Sequence, residues 1–90
     1  MNNNWKNNLD ELQSQHDIIQ GKLALLGSSI DEANKNKVRL FLDDCRTLQR
    51  SSQAAKQIDT ARKAKTCQQE VWRTLKRLRI KLYRCRCSHF

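Results

Sequence analysis

Residues 28–82 read SSIDEANKNKVRLFLDDCRTLQRSSQAAKQIDTARKAKTCQQEVWRTLKRLRIKL, with no proline and no glycine. Nothing in this stretch must break a helix. Ser29 followed three residues later by Glu32 has the form of a capping box, in which hydroxyl and carboxylate satisfy the first free amides of a helix. Behind it, Val38, Phe41, Cys45, Leu48, Ser52 and Ala55 recur at steps of three and four, which gathers them on one helical face. At about 100° per residue, Arg39, Arg46, Arg50, Gln53 and Gln57 fall on the opposite face. One flank of this rod is made to be buried against another helix. The other presents forked cationic donors in a row. An all-α fold follows from that pairing.

Toward the N-terminus the pattern continues. Trp5, Leu9, Leu12, His16, Ile19, Leu23 and Leu26 alternate steps of four and three, a heptad seam over three repeats. Asp10 and Glu11 come early in this helix, where its dipole favours acids. Gly21 interrupts it at a cost of roughly 1 kcal/mol relative to alanine. Gly27 is placed to cap its C-terminus. A turn as short as Gly27-Ser28-Ser29 makes the two helices antiparallel neighbours. His16, on the seam between apolar layers, reads as a structural histidine. No serine, aspartate or cysteine stands at a catalytic spacing from it.

Toward the C-terminus the stripe changes face. Ala54, Ile58 and Ala61 define a stripe rotated by roughly 100° from the first, and Asp59 would sit at the centre of the old one. The helix therefore bends near Gln53–Asp59 or meets a different partner there. Arg62–Gln69 is polar on all sides and reads as a break or bend. Beyond it, Val71, Leu75, Leu78 and Leu82 line a third amphipathic helix with Trp72 beside them. Arg73, Arg77, Lys81 and Arg84, flanked by Lys76, form its basic side. The expected organisation is a helical hairpin over residues 1–66 that dimerises. A basic amphipathic helix and flexible tail over 67–90 follow. Cys85 to Phe90 reads as a disordered end.

The 90 residues form one small domain. At this size a chain buries only about 60–65% of its unfolded surface, so long helices are marginal alone. Dimerisation into a four-helix-bundle-like assembly is the simplest remedy. The formal charge of +9 is unevenly placed. Basic and acidic residues balance over 1–59, whereas 60–90 holds ten Lys/Arg against Glu70 alone. That asymmetry points to a polyanion, either nucleic acid or an anionic membrane surface. No run approaches the roughly 18 apolar residues of a membrane span. A basic region followed by an apolar core, as in a secretory signal, is also absent. Four cysteines do not make a disulfide scaffold and fit a reducing, cytoplasmic setting. Cys85, Cys87 and His89 are too close together and too few for a zinc site, which takes four ligands in separated pairs. No paired carboxylates, metal ligands or activated nucleophile indicate an enzyme, and no cofactor is expected.

The chemistry that is present suits duplex phosphate. Arginines 39, 46 and 50 would lie along a line of some 16 Å, each able to bridge phosphates bidentately. Gln53 and Gln57 can hydrogen-bond to sugar hydroxyls or phosphate. A rigid line of cations matches phosphates at fixed intervals. Splayed single strands instead want exposed aromatic platforms, and Phe41 and Trp72 are assigned to apolar faces. The expected nucleic-acid-binding set is Arg39, Arg46, Arg50, Gln53, Gln57, Arg73, Arg77 and Lys81. The competing expectation is an interaction module. In it, the basic C-terminal helix lies on an anionic membrane or an acidic protein partner, with Trp72, Leu75, Leu78 and Leu82 facing the lipid.

The run Asn36-Lys37-Val38-Arg39-Leu40-Phe41-Leu42-Asp43 resembles the N-x-V-R-x-x-L-D run that opens the second helix of the small RNA-silencing suppressors of nodaviruses. The stretch from Ser28 to about Thr66 is similar in length and alternation, so the resemblance covers about half the chain. It implies an all-helical hairpin that dimerises antiparallel, lies along double-stranded RNA and blocks Dicer cleavage and guide loading. It also implies a viral protein acting in the host cytoplasm, with Arg39 on the RNA face. The basic, Trp-containing C-terminal third has no counterpart in that pattern.

Overall fold

The computed structural model describes residues 5–82. Three α-helices follow one another: α1 (Trp5–Leu26), α2 (Glu32–Ala54) and α3 (Ile58–Leu78). A single 3-10 turn, Gly27–Ser29, links the first two. The chain is all-α, with no strand among the described residues.

The heptad seam of α1 is the face that packs. Leu9, Leu12, Ile19 and Leu23 are buried, and Trp5 and Leu26 pack against them. Gly27 terminates α1 at φ +55°, a left-handed conformation in which a side chain would be strained. On α2 the expected stripe is likewise inside. Val38, Phe41, Cys45, Leu48 and Ser52 are buried, joined by Leu42. Ser52, without solvent contact, donates its hydroxyl to the carbonyl of Leu48 one turn back, so its burial leaves no polar group orphaned.

The expected capping box does not form. Ser29 belongs to the 3-10 turn, and Asp31 is the residue preceding the first turn of α2. The Asp31 carboxylate instead accepts a hydrogen bond from the Asn34 amide at 2.6 Å. That bond holds the carboxyl below the usual aspartate range. Asn34 in turn accepts from Lys22 Nζ at 3.3 Å, tying the end of α1 to the start of α2.

The face change near residue 55 is a true break. Ala54 ends α2, and Ala55 is exposed rather than a continuation of the apolar stripe. Lys56 takes a left-handed backbone at φ 63°, and the Gln57 amide donates back to the Ser52 carbonyl at 2.7 Å. The Lys56 amide donates to the Gln53 carbonyl at 3.0 Å, which completes a Schellman-type closure without glycine.

The expected break at Arg62–Gln69 is not there. Those residues lie inside α3, and the expected division between 66 and 67 falls in mid-helix. Their inner side is apolar but small: Thr60, Ala61, Ala64 and Cys67 are buried, leading into Val71, Thr74 and Leu75. Small side chains let the backbones approach closely where larger ones would hold them apart. Nor does the third helix reach residue 84. A second Schellman-type closure stops it, with Arg79 at φ 59° and the Ile80 amide donating to the Leu75 carbonyl at 2.9 Å. Ile80 and Leu82 then fold back onto the core.

The unit is therefore a three-helix bundle in which α3 packs on both α1 and α2, rather than a hairpin with an appendage. The core holds side chains from all three helices. No described helix is long and apolar enough to cross a membrane. The expected disordered end, with Cys85, Cys87 and His89, lies outside the described residues.

Candidate nucleic-acid interface

The cations of α2 separate into two groups. Arg39 is not on an open row. Its guanidinium pairs with Glu32 Oε2 at 3.0 Å and also donates to Asn36 Oδ1. Its Nε donates to the Leu82 carbonyl at 2.8 Å, with a second bond from the same guanidinium to that oxygen. With 24% of its side chain exposed, Arg39 clips the returning chain end to the first turns of α2. That structural employment ties up the guanidinium expected to contact nucleic acid. Helical spacing places Arg39 beside Arg46, but spacing cannot show that a carbonyl 43 residues on would claim it.

Arg46 and Arg50 are exposed, one turn apart, and Gln53 is exposed a turn further on. Among the described residues neither arginine forms an ion pair. Gln57 is exposed but leaves the row, because it lies past the break and precedes α3. Arg73 and Arg77 are exposed on α3. Lys81 is exposed beyond the helix end and does not extend a helical stripe, and Arg84 lies outside the described residues.

Once α3 is seen to begin at Ile58, residues assigned to a break become part of the outer face. Arg62, Lys65, Gln69, Trp72, Arg73 and Lys76 are all exposed. Their helical phases, within about 100° of one another, keep them on one side of the helix over about 21 Å. The only acids on α3 are Asp59, in its first turn, and Glu70. Glu70 sits on the flank toward α1, its side chain 46% exposed, with Oε1 2.9 Å from His16 Nε2. The pair is close but off the line of a hydrogen bond. His16 also packs against the Phe41 ring at 6.3 Å, consistent with a structural histidine. The outer stripe from Arg62 to Lys76 therefore contains no acid. Arg62 and Lys65 are the contributors missed from sequence. The signal was the Thr60-Ala64-Cys67-Val71 spacing on the opposite side, muted by small residues.

The apolar set of the membrane expectation is spent inside the fold. Leu75 and Leu82 are buried, as is Val71, and Leu78 packs against the core. Trp72, by contrast, is 42% exposed rather than on the apolar face.

A second surface lies between α1 and α2, away from α3. Here a groove of about 730 Å³ is lined by Leu12, Ile18, Ile19, Leu40, Phe41 and Leu48 among others. Ile18 and Leu40 are 52% and 64% exposed. One end carries Lys22 and Lys37, the other Glu11 and Asp44. Burial, together with the Asp43 and Glu11 charges, pushes the Asp44 carboxyl above its ordinary value. Projected at about 100° per residue, the α2 residues lining this groove (37, 40, 44, 47, 51) sit on the flank away from Arg46, Arg50 and Gln53.

Cys45 and Cys67 are free, buried thiols. Burial, with smaller contributions from Cys67 and Asp44, pushes Cys45 up to about 12. Burial, then Glu70 and Asp17, raises Cys67. Both stay protonated at neutral pH, so neither is a nucleophile or a thiolate metal ligand in the folded chain. A raised folded value means that protonation favours the fold. That contribution is complete below the unfolded thiol value of about 8.5 and is lost as pH rises toward about 12. In a Cys85→Ser, Cys87→Ser variant, a thiol reagent at pH 8 is expected to leave the native protein unlabelled. Denaturant should then release two reactive thiols per chain. Native labelling would contradict this packing. No group of His, Cys, Asp or Glu among the described residues could hold a metal ion.

The chain matches no protein-family model, no curated protein and no solved structure, so the likeness of 36–43 to nodaviral suppressors rests on those residues alone.

Proposed function

We propose that this protein is an RNA-binding protein that coats double-stranded RNA without reading its sequence. It would shield the duplex from processing nucleases in the host cytoplasm as a viral suppressor of RNA silencing does. The observation that carries the reading is the acid-free outer stripe of α3, with the exposed Arg46 and Arg50 on α2 free of ion pairs among the described residues. Rigid helices hold these cations at fixed intervals, which suits a regular double row of phosphates. Affinity then comes largely from counter-ion release.

The acting form in this reading is a homodimer joined through the α1–α2 groove. A two-fold axis across the groove places one copy's Lys22 and Lys37 over the other copy's Glu11 and Asp44. It also covers Ile18 and Leu40 and supplies Asp44 with a counter-charge. The arginine flank of α2 is left open. A mass measurement of the free protein at micromolar concentration is expected to give a dimer, and Leu40→Glu a folded monomer.

The test of the function is a gel-shift series with duplex RNA, duplex DNA and single-stranded RNA. Duplex RNA is expected to bind irrespective of sequence, with affinity falling steeply between about 50 and 200 mM salt. Salt-independent binding, or none to duplex RNA, would refute the proposal. The competing reading is an acidic protein partner on the same stripe. Burial of Val71, Leu75 and Leu82 in the core leaves the membrane version less apolar surface to use.

A further inference from the structure

The exposure of Trp72 is the feature that the duplex reading does not use. Its indole stands at the edge of a shallow depression of about 660 Å³, lined by Gln68, Gln69, Trp72, Arg73, Lys76 and Ile80. That is within the size range of small-ligand sites. Gln68 and Gln69 lie one turn before the tryptophan, and Lys76 one turn after it. None of the lining residues is acidic. The nearest acid in sequence, Glu70, is turned to His16 on α1. Ile80, folded back by the left-handed Arg79, closes the far side.

Each component has a counterpart in one ligand class. An exposed indole is a stacking surface for a nucleobase of any identity. Two side-chain amides offer donors and acceptors that can meet base edges. An arginine and a lysine on the same face complement phosphate. A lipid surface fits less well. It wants a broad apolar helix face, and around this depression Trp72 is the one exposed apolar side chain, while Ile80 packs against the core and Leu75 and Val71 are enclosed.

We propose that the Trp72 depression binds an unpaired nucleotide of RNA. The base stacks on the indole between Gln68 and Gln69, and the phosphate is held by Arg73 and Lys76. Because Arg73 and Lys76 belong to the outer stripe of α3, the site rests on the duplex reading for its setting. It would engage a base protruding from the end of a bound duplex. The protein then distinguishes an overhanging end from a blunt one, although it ignores sequence within the paired region.

The test uses full-length protein carrying Trp5→Phe, so that Trp72 is the only tryptophan. Three probes are titrated: a blunt RNA duplex, the same duplex with a two-nucleotide 3′ overhang, and a short single-stranded RNA. The overhang duplex is expected to quench Trp72 fluorescence and bind about 5-fold or more tighter than the blunt one, the lower end of one stacked base. Trp72→Ala should erase that difference while leaving helicity unchanged, and Trp72→Phe should retain part of it. Equal affinity for both duplexes, with unaltered Trp72 emission, would overturn the proposal. So would quenching by anionic vesicles but not by RNA. If the single strand quenches Trp72 while blunt duplex does not bind, the nucleotide site stands and the duplex reading fails.

Discussion

Leu75→Ala is expected to destabilise the folded chain by about 2–5 kcal/mol, the usual cost of a leucine-sized cavity in a packed core. Leu75 is 1% exposed and belongs to the core shared by all three helices. A chain of this size has roughly 5–10 kcal/mol in hand, so the variant should be largely unfolded at moderate urea. The measurement is equilibrium urea denaturation followed by helicity, with Trp72→Ala as the control one turn away. Trp72→Ala should cost well under the Leu75 change, because the residue is already 42% exposed where Leu75 is enclosed. The pair separates two architectures. A projecting third helix, which the residue pattern alone allows, would lose nothing at Leu75. A closed bundle loses much there and little at Trp72. Equal effects at the two positions would exclude the packing described.

The second large effect is expected on binding. Replacing Arg62, Lys65, Arg73 and Lys76 together by glutamine removes four positive charges from the outer stripe. Glutamine keeps good helix propensity, and all four side chains are exposed, so the fold should persist. Each phosphate no longer neutralised should lower the salt slope by about one, and the affinity for duplex RNA should fall on the order of 100-fold or more. Arg46→Gln with Arg50→Gln should cost less, roughly in proportion to two phosphates, if all six cations face the same duplex. The weakening should be uniform across sequences, because phosphate recognition carries no sequence information. A four-site variant that binds with unchanged salt dependence would remove the interface from α3. Arg39 is the informative contrast. Its replacement should appear in denaturation, by releasing the clip on Leu82, rather than in the salt slope.

Much of the fold can be read from the residues because apolar side chains of ordinary size carry the periodicity. The α1 seam from Trp5 to Leu26 and the α2 stripe from Val38 to Ser52 are inside where their spacing puts them. The start of α3 is not legible for the opposite reason. Its inner positions are Thr60, Ala61, Ala64 and Cys67, which contribute little to any hydrophobic pattern, while Arg62, Lys63 and Lys65 between them dominate it. The helix ends are obscured by chemistry that runs against preference. Lys56 and Arg79 occupy left-handed positions where glycine would be the usual signal. The candidate site divides the same way. Arg46, Arg50, Arg73 and Arg77 are exposed as their faces require, because exposure follows from helical phase. Arg39 and Gln57 are not where spacing puts them, because one answers to a long-range hydrogen bond and the other to a chain break. Trp72 stands near leucines in sequence, yet helical phase rather than proximity decides burial, and its phase turns it outward.

The position of α3 in chain order has a consequence for how the molecule is made. The inner walls of α1 and α2 have no third wall until α3, made after both, leaves the ribosome, so closure of the bundle waits on α3. The same helix bears the charge that a polyanion would seek. A ligand that grips α3 in its docked position therefore adds its binding energy to the closed state alone, raising stability by RT ln(1 + [L]/Kd). Maturation and cargo capture would then draw on one equilibrium, and the empty protein should be the more readily degraded form.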